Sequence, residues 1–275
     1  MTQILRAHDV DLGNGITLPV REQGDPNGPP LILLHGNTDS WRSFEPVLPF
    51  LPARLRAIAI TMRGHGDATK PPTGYAPADF AADVVALLDA LGLPRAVICG
   101  HSFGGLVAQM VALGHPERAE GLVLAGAFPG MEGNPAIQDF WDGTIVHLGD
   151  ELDLDFAREF QAGCVAQSPA PPIVEMAARE SVRTPGWVFR ESVHRAMALD
   201  LRPELSRIRV PTLLIWGGQD GFVSRDDQED LRRGIPGARL LAYEEAGHAV
   251  HWEEPERFAR DLTDFVDRLR SRRAA

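Results

Sequence analysis

Short apolar runs recur along this 275-residue chain, and each of them ends in a loop that carries glycine or polar residues. Runs of this kind are typical of strands that are covered on both faces of a mainly parallel sheet. They occupy residues 30–36, 55–66, 95–100, 121–127, 211–218 and 238–248, after a predicted hairpin at 4–12 and 16–22. Segments with helical spacing alternate with them, at 77–91, 102–113 and 255–269. The alternation predicts an α/β fold, in which helices flank a mainly parallel central sheet.

One interval breaks this alternation. Residues 130–207 contain no convincing core strand, and they mix aromatic residues with charged ones. We therefore predict a small helical cap at 130–207, inserted between two strands of a core that comprises 1–129 and 208–275.

Charge and hydropathy restrict the class of partner. The formal net charge is −11, which argues against nucleic acid because no excess of cations is available to displace phosphate counterions. No apolar run reaches the roughly 20 residues that a membrane helix needs, and the start of the chain does not read as a secretory signal. The two cysteines make no disulfide framework. We expect a cytoplasmic protein whose partner is a small molecule, with a homodimer as an open alternative.

Ser102 stands among three glycines, in the stretch Cys-Gly-His-Ser-Phe-Gly-Gly, between a predicted strand and a predicted helix. A serine on a tight strand-to-helix turn needs small residues two positions before and two positions after it, because larger side chains would collide. Gly100 and Gly104 meet this requirement. A serine that only caps the helix is the alternative, but the apolar segments on both sides favour a nucleophile. The stretch lacks the lysine of a phosphate-binding loop.

A serine hydroxyl is a weak nucleophile that needs a positioned base. In this chain order an acid and then a histidine are expected to follow the serine. Asp220 and His248 each follow an apolar run, which places them at the C-terminal ends of strands, where ligands bind in open α/β sheets. We prefer His248 to His251 because Gly247 marks a tight loop immediately before it.

The remaining part of such a site is a pair of backbone N–H groups that bind the developing oxyanion. We assign them to Asn37, in the loop after an early strand, and to Phe103, which follows the nucleophile. The predicted pocket walls are Gly36, Trp41, His101, Phe128, Trp141, Trp187 and Trp252. No motif of metal ligands stands near these positions, so we predict neither a metal nor a cofactor.

Five motifs together resemble those of the α/β-hydrolase superfamily over nearly the whole chain: HGNTDSW, RGHGDA, GHSFGG, GGQDG and GHAVHWEEP. They are similar to the capped, cofactor-independent branch that includes bacterial esterases, lactonases and non-haem haloperoxidases. Ala68 stands where the second motif usually has serine, in a loop that is generally structural in this family. The resemblance implies the α/β-hydrolase fold with a helical cap.

We therefore predict a serine hydrolase that cleaves a small carboxylic ester or lactone through an acyl-enzyme intermediate. The chain also resembles haloalkane dehalogenases and epoxide hydrolases, but those families use an aspartate nucleophile where this chain has Ser102. Three alternatives stay open. Two use the same site, as a cofactor-free haloperoxidase or perhydrolase, or as a C–C bond hydrolase. The third is a ligand receptor without catalysis on a hydrolase fold.

Overall fold

The computed structural model describes residues 4–167 and 171–274, and in this part of the chain an eight-stranded sheet is formed. Its strands are β1 (Arg6–Asp11), β2 (Thr17–Gln23), β3 (Pro30–Leu34), β4 (Arg56–Ile60), β5 (Ala96–His101), β6 (Ala119–Ala125), β7 (Thr212–Gly217) and β8 (Arg239–Tyr243). Their spatial order is β1-β2-β4-β3-β5-β6-β7-β8. The first two strands pair antiparallel, β2 also runs antiparallel to β4, and every later pairing is parallel.

Helices follow most of the parallel strands. They are α1 (Pro77–Ala90), α2 (Phe103–Gly114), α3 (Pro135–Gly143), α4 (Leu154–Ala162), α5 (Ile173–Ser181), α6 (Gly186–Met197), α7 (Arg225–Gly234), α8 (Val250–Glu253) and α9 (Pro255–Ala274). Short 3₁₀ turns complete the described part, at Trp41–Phe44, Leu48–Phe50, Pro116–Arg118, Ile145–His147 and Arg202–Arg207. None of the helices in this part is both long and apolar enough to cross a membrane.

The central strands are buried on both faces of the sheet. Successive side chains of a strand point to opposite sides, so each strand contributes to both layers of the core. Ile32 and Leu34 of β3 pack on the side of α1 and α2. Leu31 and Leu33 pack on the side of α9, with Phe258. The structure therefore confirms the predicted α/β architecture, and it explains why these strands read as continuous apolar runs.

The chain leaves the sheet after β6 and returns to it at β7. Between these strands lie α3, α4, α5 and α6, within the range 130–207 for which we predict a cap. Residues 168–170 of that range lie outside the described part. The division of the chain into a core and a separate cap stays a prediction.

Candidate active site

Ser102 lies on a strained turn. β5 ends at His101 and α2 begins at Phe103, so the chain reverses at a single residue. Ser102 adopts φ +52° and ψ −118°, a conformation that residues other than glycine rarely adopt and that costs about 1–3 kcal/mol. Its N–H donates a hydrogen bond to the carbonyl oxygen of Ala125 at 2.9 Å, which ties the turn to the neighbouring strand.

The glycines around Ser102 allow the helix to approach the sheet this closely. A Cβ atom on Gly100 would lie 2.1 Å from the carbonyl oxygen of Gly104. A Cβ atom on Gly104 would lie 2.5 Å from the carbonyl oxygen of Leu34, in β3. Real Cβ atoms do not approach backbone atoms this closely, so these glycines are required by contact rather than by flexibility.

Substitution of Gly104 tests this reading of the turn. We expect Gly104→Ala to destabilise the protein by about 1–3 kcal/mol, as overpacking does, and to reduce ester hydrolysis because the turn that carries Ser102 would have to shift. Gly114→Ala, at the other end of α2, is the matched control because a Cβ there meets no atom within 4 Å. Urea unfolding of both variants is the measurement. Equal stability of the two variants would contradict the steric argument.

His248 and Asp220 form a hydrogen-bonded pair. The Nδ1 atom of His248 lies 2.8 Å from Oδ2 of Asp220, and both side chains are at most 5% exposed. The other carboxylate oxygen of Asp220 accepts the backbone N–H groups of Phe222 and Val223, at 2.8 and 2.9 Å. This fixes the carboxylate, which in turn leaves Nε2 as the free nitrogen of the His248 ring.

The structure separates His248 from its rival. His251 pairs instead with Ser43, whose hydroxyl lies 2.9 Å from its Nε2 atom. Burial lowers the pKa of His251 to about 3, so this ring is neutral at physiological pH. It packs behind His101, with ring centroids 4.5 Å apart.

The loop after β3 lies against Ser102, the predicted nucleophile. A Cβ atom on Gly36 would come within 3.4 Å of the Ser102 Cβ. Thr38 has φ +60°, which is an outlier for a β-branched residue. Among the described residues, Thr38 and Ser102 are the ones other than glycine with positive φ. Backbone strain is therefore concentrated on the two segments that would hold the oxyanion and the nucleophile.

A cavity connects these groups. Ser102, His248, Gly36, Asn37 and Phe103 all line it. The space between its walls is about 640 Å³, including the part that is open to solvent. The side chains that α3, α4 and α6 contribute are mostly apolar: Ile137, Phe140, Phe160, Gln161, Phe189 and Val193.

Asp39 is a cavity residue that the sequence reasoning missed. It is 2% exposed, and burial raises the pKa of its carboxyl group to about 7. The available signal was its place in HGNTDSW, two residues after the predicted oxyanion-hole residue Asn37.

The described residues contain no cluster of three or more His, Cys, Asp or Glu side chains that could hold a metal ion. The two histidines that line the cavity, His101 and His248, contact protein atoms. Nε2 of His101 lies 3.2 Å from the carbonyl oxygen of His248, and burial lowers the pKa of His101 well below its ordinary value. The proposal of a reaction without a cofactor stays a prediction.

A family model described as the alpha/beta hydrolase family matches residues 31–261, which is most of the chain. The chain belongs to the alpha/beta hydrolase family. This confirms the resemblance and the α/β-hydrolase fold that the sequence predicts.

The relatives of this hydrolase have names that specify different substrates. It is 30% identical to a 2-(acetamidomethylene)succinate hydrolase of Mesorhizobium japonicum over 267 residues, 94% of each chain. It is 31% identical to a pimeloyl-[acyl-carrier protein] methyl ester esterase of Neisseria meningitidis, over 86% of this chain and 92% of that protein. The enol-lactonase of Burkholderia xenovorans superimposes with a TM-score of 0.82 at 25% identity, over 95% of this chain and all of that one. These relatives support the prediction of a hydrolase that acts on ester bonds.

The structure places four of the predicted pocket residues in the cavity of this hydrolase, and three elsewhere. Gly36, His101, Phe128 and Trp252 line the cavity. The prediction for Trp41, Trp141 and Trp187 is corrected by their surroundings. The ring of Trp41 lies under the guanidinium groups of Arg21 and Arg42, at 5.0 and 5.3 Å.

Trp141 and Trp187 line a separate surface depression. Trp141 stacks on His194 with ring centroids 5.3 Å apart. Trp187 packs edge-on against Tyr75 at 5.5 Å. Both indoles therefore lie outside the cavity that Ser102 lines.

Proposed function

We propose that this hydrolase cleaves a small carboxylic ester or lactone with Ser102 as nucleophile, His248 as general base and Asp220 as the triad acid. The observation that carries the proposal is the 2.8 Å hydrogen bond between His248 Nδ1 and Asp220, because His248 lines the same cavity as Ser102. The order serine, acid, histidine along the chain supports the same assignment.

The reaction follows from this geometry. His248 Nε2 accepts the Ser102 proton as the hydroxyl attacks the carbonyl carbon, and it later donates that proton to the leaving alcohol. Asp220 fixes the tautomer of the ring and stabilises the imidazolium. The N–H groups of Asn37 and Phe103 stabilise the oxyanion. The Phe103 N–H stands at the first position of α2, where the helix itself supplies no acceptor. Water then hydrolyses the acyl-enzyme.

The residues that line the cavity favour a neutral substrate over an anionic one. Among the described residues that line it, none is arginine or lysine. A carboxylate bound there would be buried without a counter-charge, which is costly. We therefore do not assign to this chain the succinate that the name of the Mesorhizobium relative specifies, and we propose an ester or lactone with apolar groups.

A panel of para-nitrophenyl esters with acyl chains of increasing length tests the proposal. Turnover with an initial burst of nitrophenol is expected, because an acyl-enzyme forms before water attacks it. Binding of these esters without turnover would instead favour the receptor alternative. An activity that requires peroxide or a C–C substrate would favour one of the other two.

The walls contributed by the helices between β6 and β7 are expected to determine chain-length preference. Phe160 contacts the rings of Phe189 and Phe222, with centroids 5.6 and 6.0 Å away. We expect Phe160→Ala to shift the kcat/KM ratio of long over short acyl chains by about tenfold or more, since each methylene in such a pocket is worth about 1–3 kcal/mol. Trp141→Ala is the matched control, because Trp141 lies outside the cavity. A larger shift in Trp141→Ala than in Phe160→Ala would contradict this assignment.

A further inference from the structure

A carboxyl group that the proposed reaction does not use lies in the wall of the cavity. Asp39 follows β3, on the loop that presents Asn37 to the nucleophile, and it lines the same cavity as Ser102 and His248. Its Oδ1 atom accepts the N–H of Ser40 at 2.9 Å. Its side chain also accepts a hydrogen bond from Ser43. These hydrogen bonds hold the carboxyl group in place but supply no positive charge.

The groups that face Asp39 from neighbouring elements do not neutralise it. Glu180, at the end of α5, disfavours the ionised form of Asp39 through its own negative charge. Cys164, after α4, is a buried thiol whose pKa is raised by burial and further by the charges of Asp39 and Asp220. His251 is linked to Asp39 through Ser43, and burial keeps that ring neutral.

We propose that Asp39 determines the charge of the substrate, by excluding esters that carry an anionic group from a cavity with no compensating cation. The proposal rests on the esterase function proposed above. The physical reason is that two like charges in a cavity with mostly apolar walls repel each other more than they do in water. Neutral and cationic substrates escape this penalty.

The selection depends on pH because the carboxyl group titrates. Burial raises the pKa of Asp39 from 3.8 to about 7. Above this value Asp39 is ionised and repels an anion, whereas below it the neutral carboxyl group no longer does so. Discrimination against anionic esters is therefore expected to be full at alkaline pH and to decrease as the pH falls through about 7.

The test uses two para-nitrophenyl hexanoates of nearly equal size, one ending in a sulfonate and one in a methyl sulfone. The sulfonate keeps its charge at every pH used, and the ratio of the two kcat/KM values cancels every pH effect that the two esters share. In the wild-type protein we expect the sulfone to be preferred by at least about tenfold at alkaline pH, and by much less at pH values below about 6.

Asp39→Asn removes the charge and keeps the size of the side chain. We expect this variant to hydrolyse the sulfonate ester at least about tenfold better relative to the sulfone ester, with a ratio that no longer depends on pH. Asp142→Asn is the matched control, because Asp142 is an exposed carboxylate on α3 and lies outside the cavity. Its ratio and pH dependence are expected to match those of the wild type.

Each outcome decides one question. A wild-type ratio that is independent of pH, or one that Asp39→Asn leaves unchanged, would overturn the role of Asp39. The wild-type pH series alone is decisive if Asp39→Asn does not fold. Failure of the wild-type protein to hydrolyse the neutral sulfone ester at any pH would count against the esterase function instead.

Discussion

Replacement of Ser102 by alanine is expected to lower kcat for a short-chain ester by about 10⁴-fold or more, while the fold is retained. The variant removes the hydroxyl oxygen that we propose as the nucleophile, but it leaves the pair of His248 and Asp220 intact. Alanine keeps the Cβ atom of serine and lacks only the hydroxyl group. The steric constraints on the backbone of the turn are therefore nearly unchanged. The measurement is single-turnover and steady-state hydrolysis, with circular dichroism to check the fold.

Two further experiments test the role of Ser102. A serine-directed phosphonate is expected to form one stable adduct, on Ser102, and to abolish turnover. Ser271→Ala, at an exposed position on α9, serves as the matched serine control and is expected to have wild-type activity. A phosphonate adduct on any other residue would contradict the assignment of Ser102 as the nucleophile.

The second large effect is expected for Asp220→Asn, which should lower kcat by about 10⁴-fold, as the corresponding change does in serine proteases. Asparagine has nearly the same shape as aspartate. It lacks the charge that stabilises the imidazolium, and its amide can present N–H to His248 Nδ1 and so favour the wrong tautomer. The Asp220 carboxylate is fully buried and bound to two backbone N–H groups, so its position beside His248 is fixed.

Glu132→Gln and Asp226→Asn are the controls for this variant. Glu132 follows β6, the other strand end at which an acid could stand, and Asp226 stands in the first turn of α7. Both residues are exposed. We expect each control to keep kcat/KM within roughly tenfold of the wild type. Collapse of activity in Glu132→Gln, together with near wild-type activity in Asp220→Asn, would place the acid after the earlier strand.

Local sterics and periodicity made much of this molecule predictable from the sequence. The run at 30–36 contains β3, and the run at 95–100 overlaps β5, because a buried parallel strand must be apolar on both faces. The turn at Ser102 was predictable for a related reason. Gly104 lies so close to the backbone of β3 that no side chain fits at this position. This steric constraint can be recognised in the sequence because it requires a glycine.

Tertiary packing determined which side chains of a helix or loop point into the cavity. Trp141 and Phe140 are neighbours on α3, yet Phe140 lines the cavity and Trp141 lies outside it. Nothing in their local sequence states which way the helix is rotated when it packs on the sheet.

The sequence by itself determined the strand-and-helix order and the serine turn, because backbone hydrogen bonding, apolar burial and steric exclusion act on neighbouring residues. Only the tertiary structure decided that the Asp220 carboxylate lies 2.8 Å from His248, and that Asp39 lines the same cavity as Ser102 and His248. Those contacts join loops that are far apart in the chain. They depend on how strands are ordered in the sheet, and the raised pKa of Asp39 depends on burial that the folded chain alone creates.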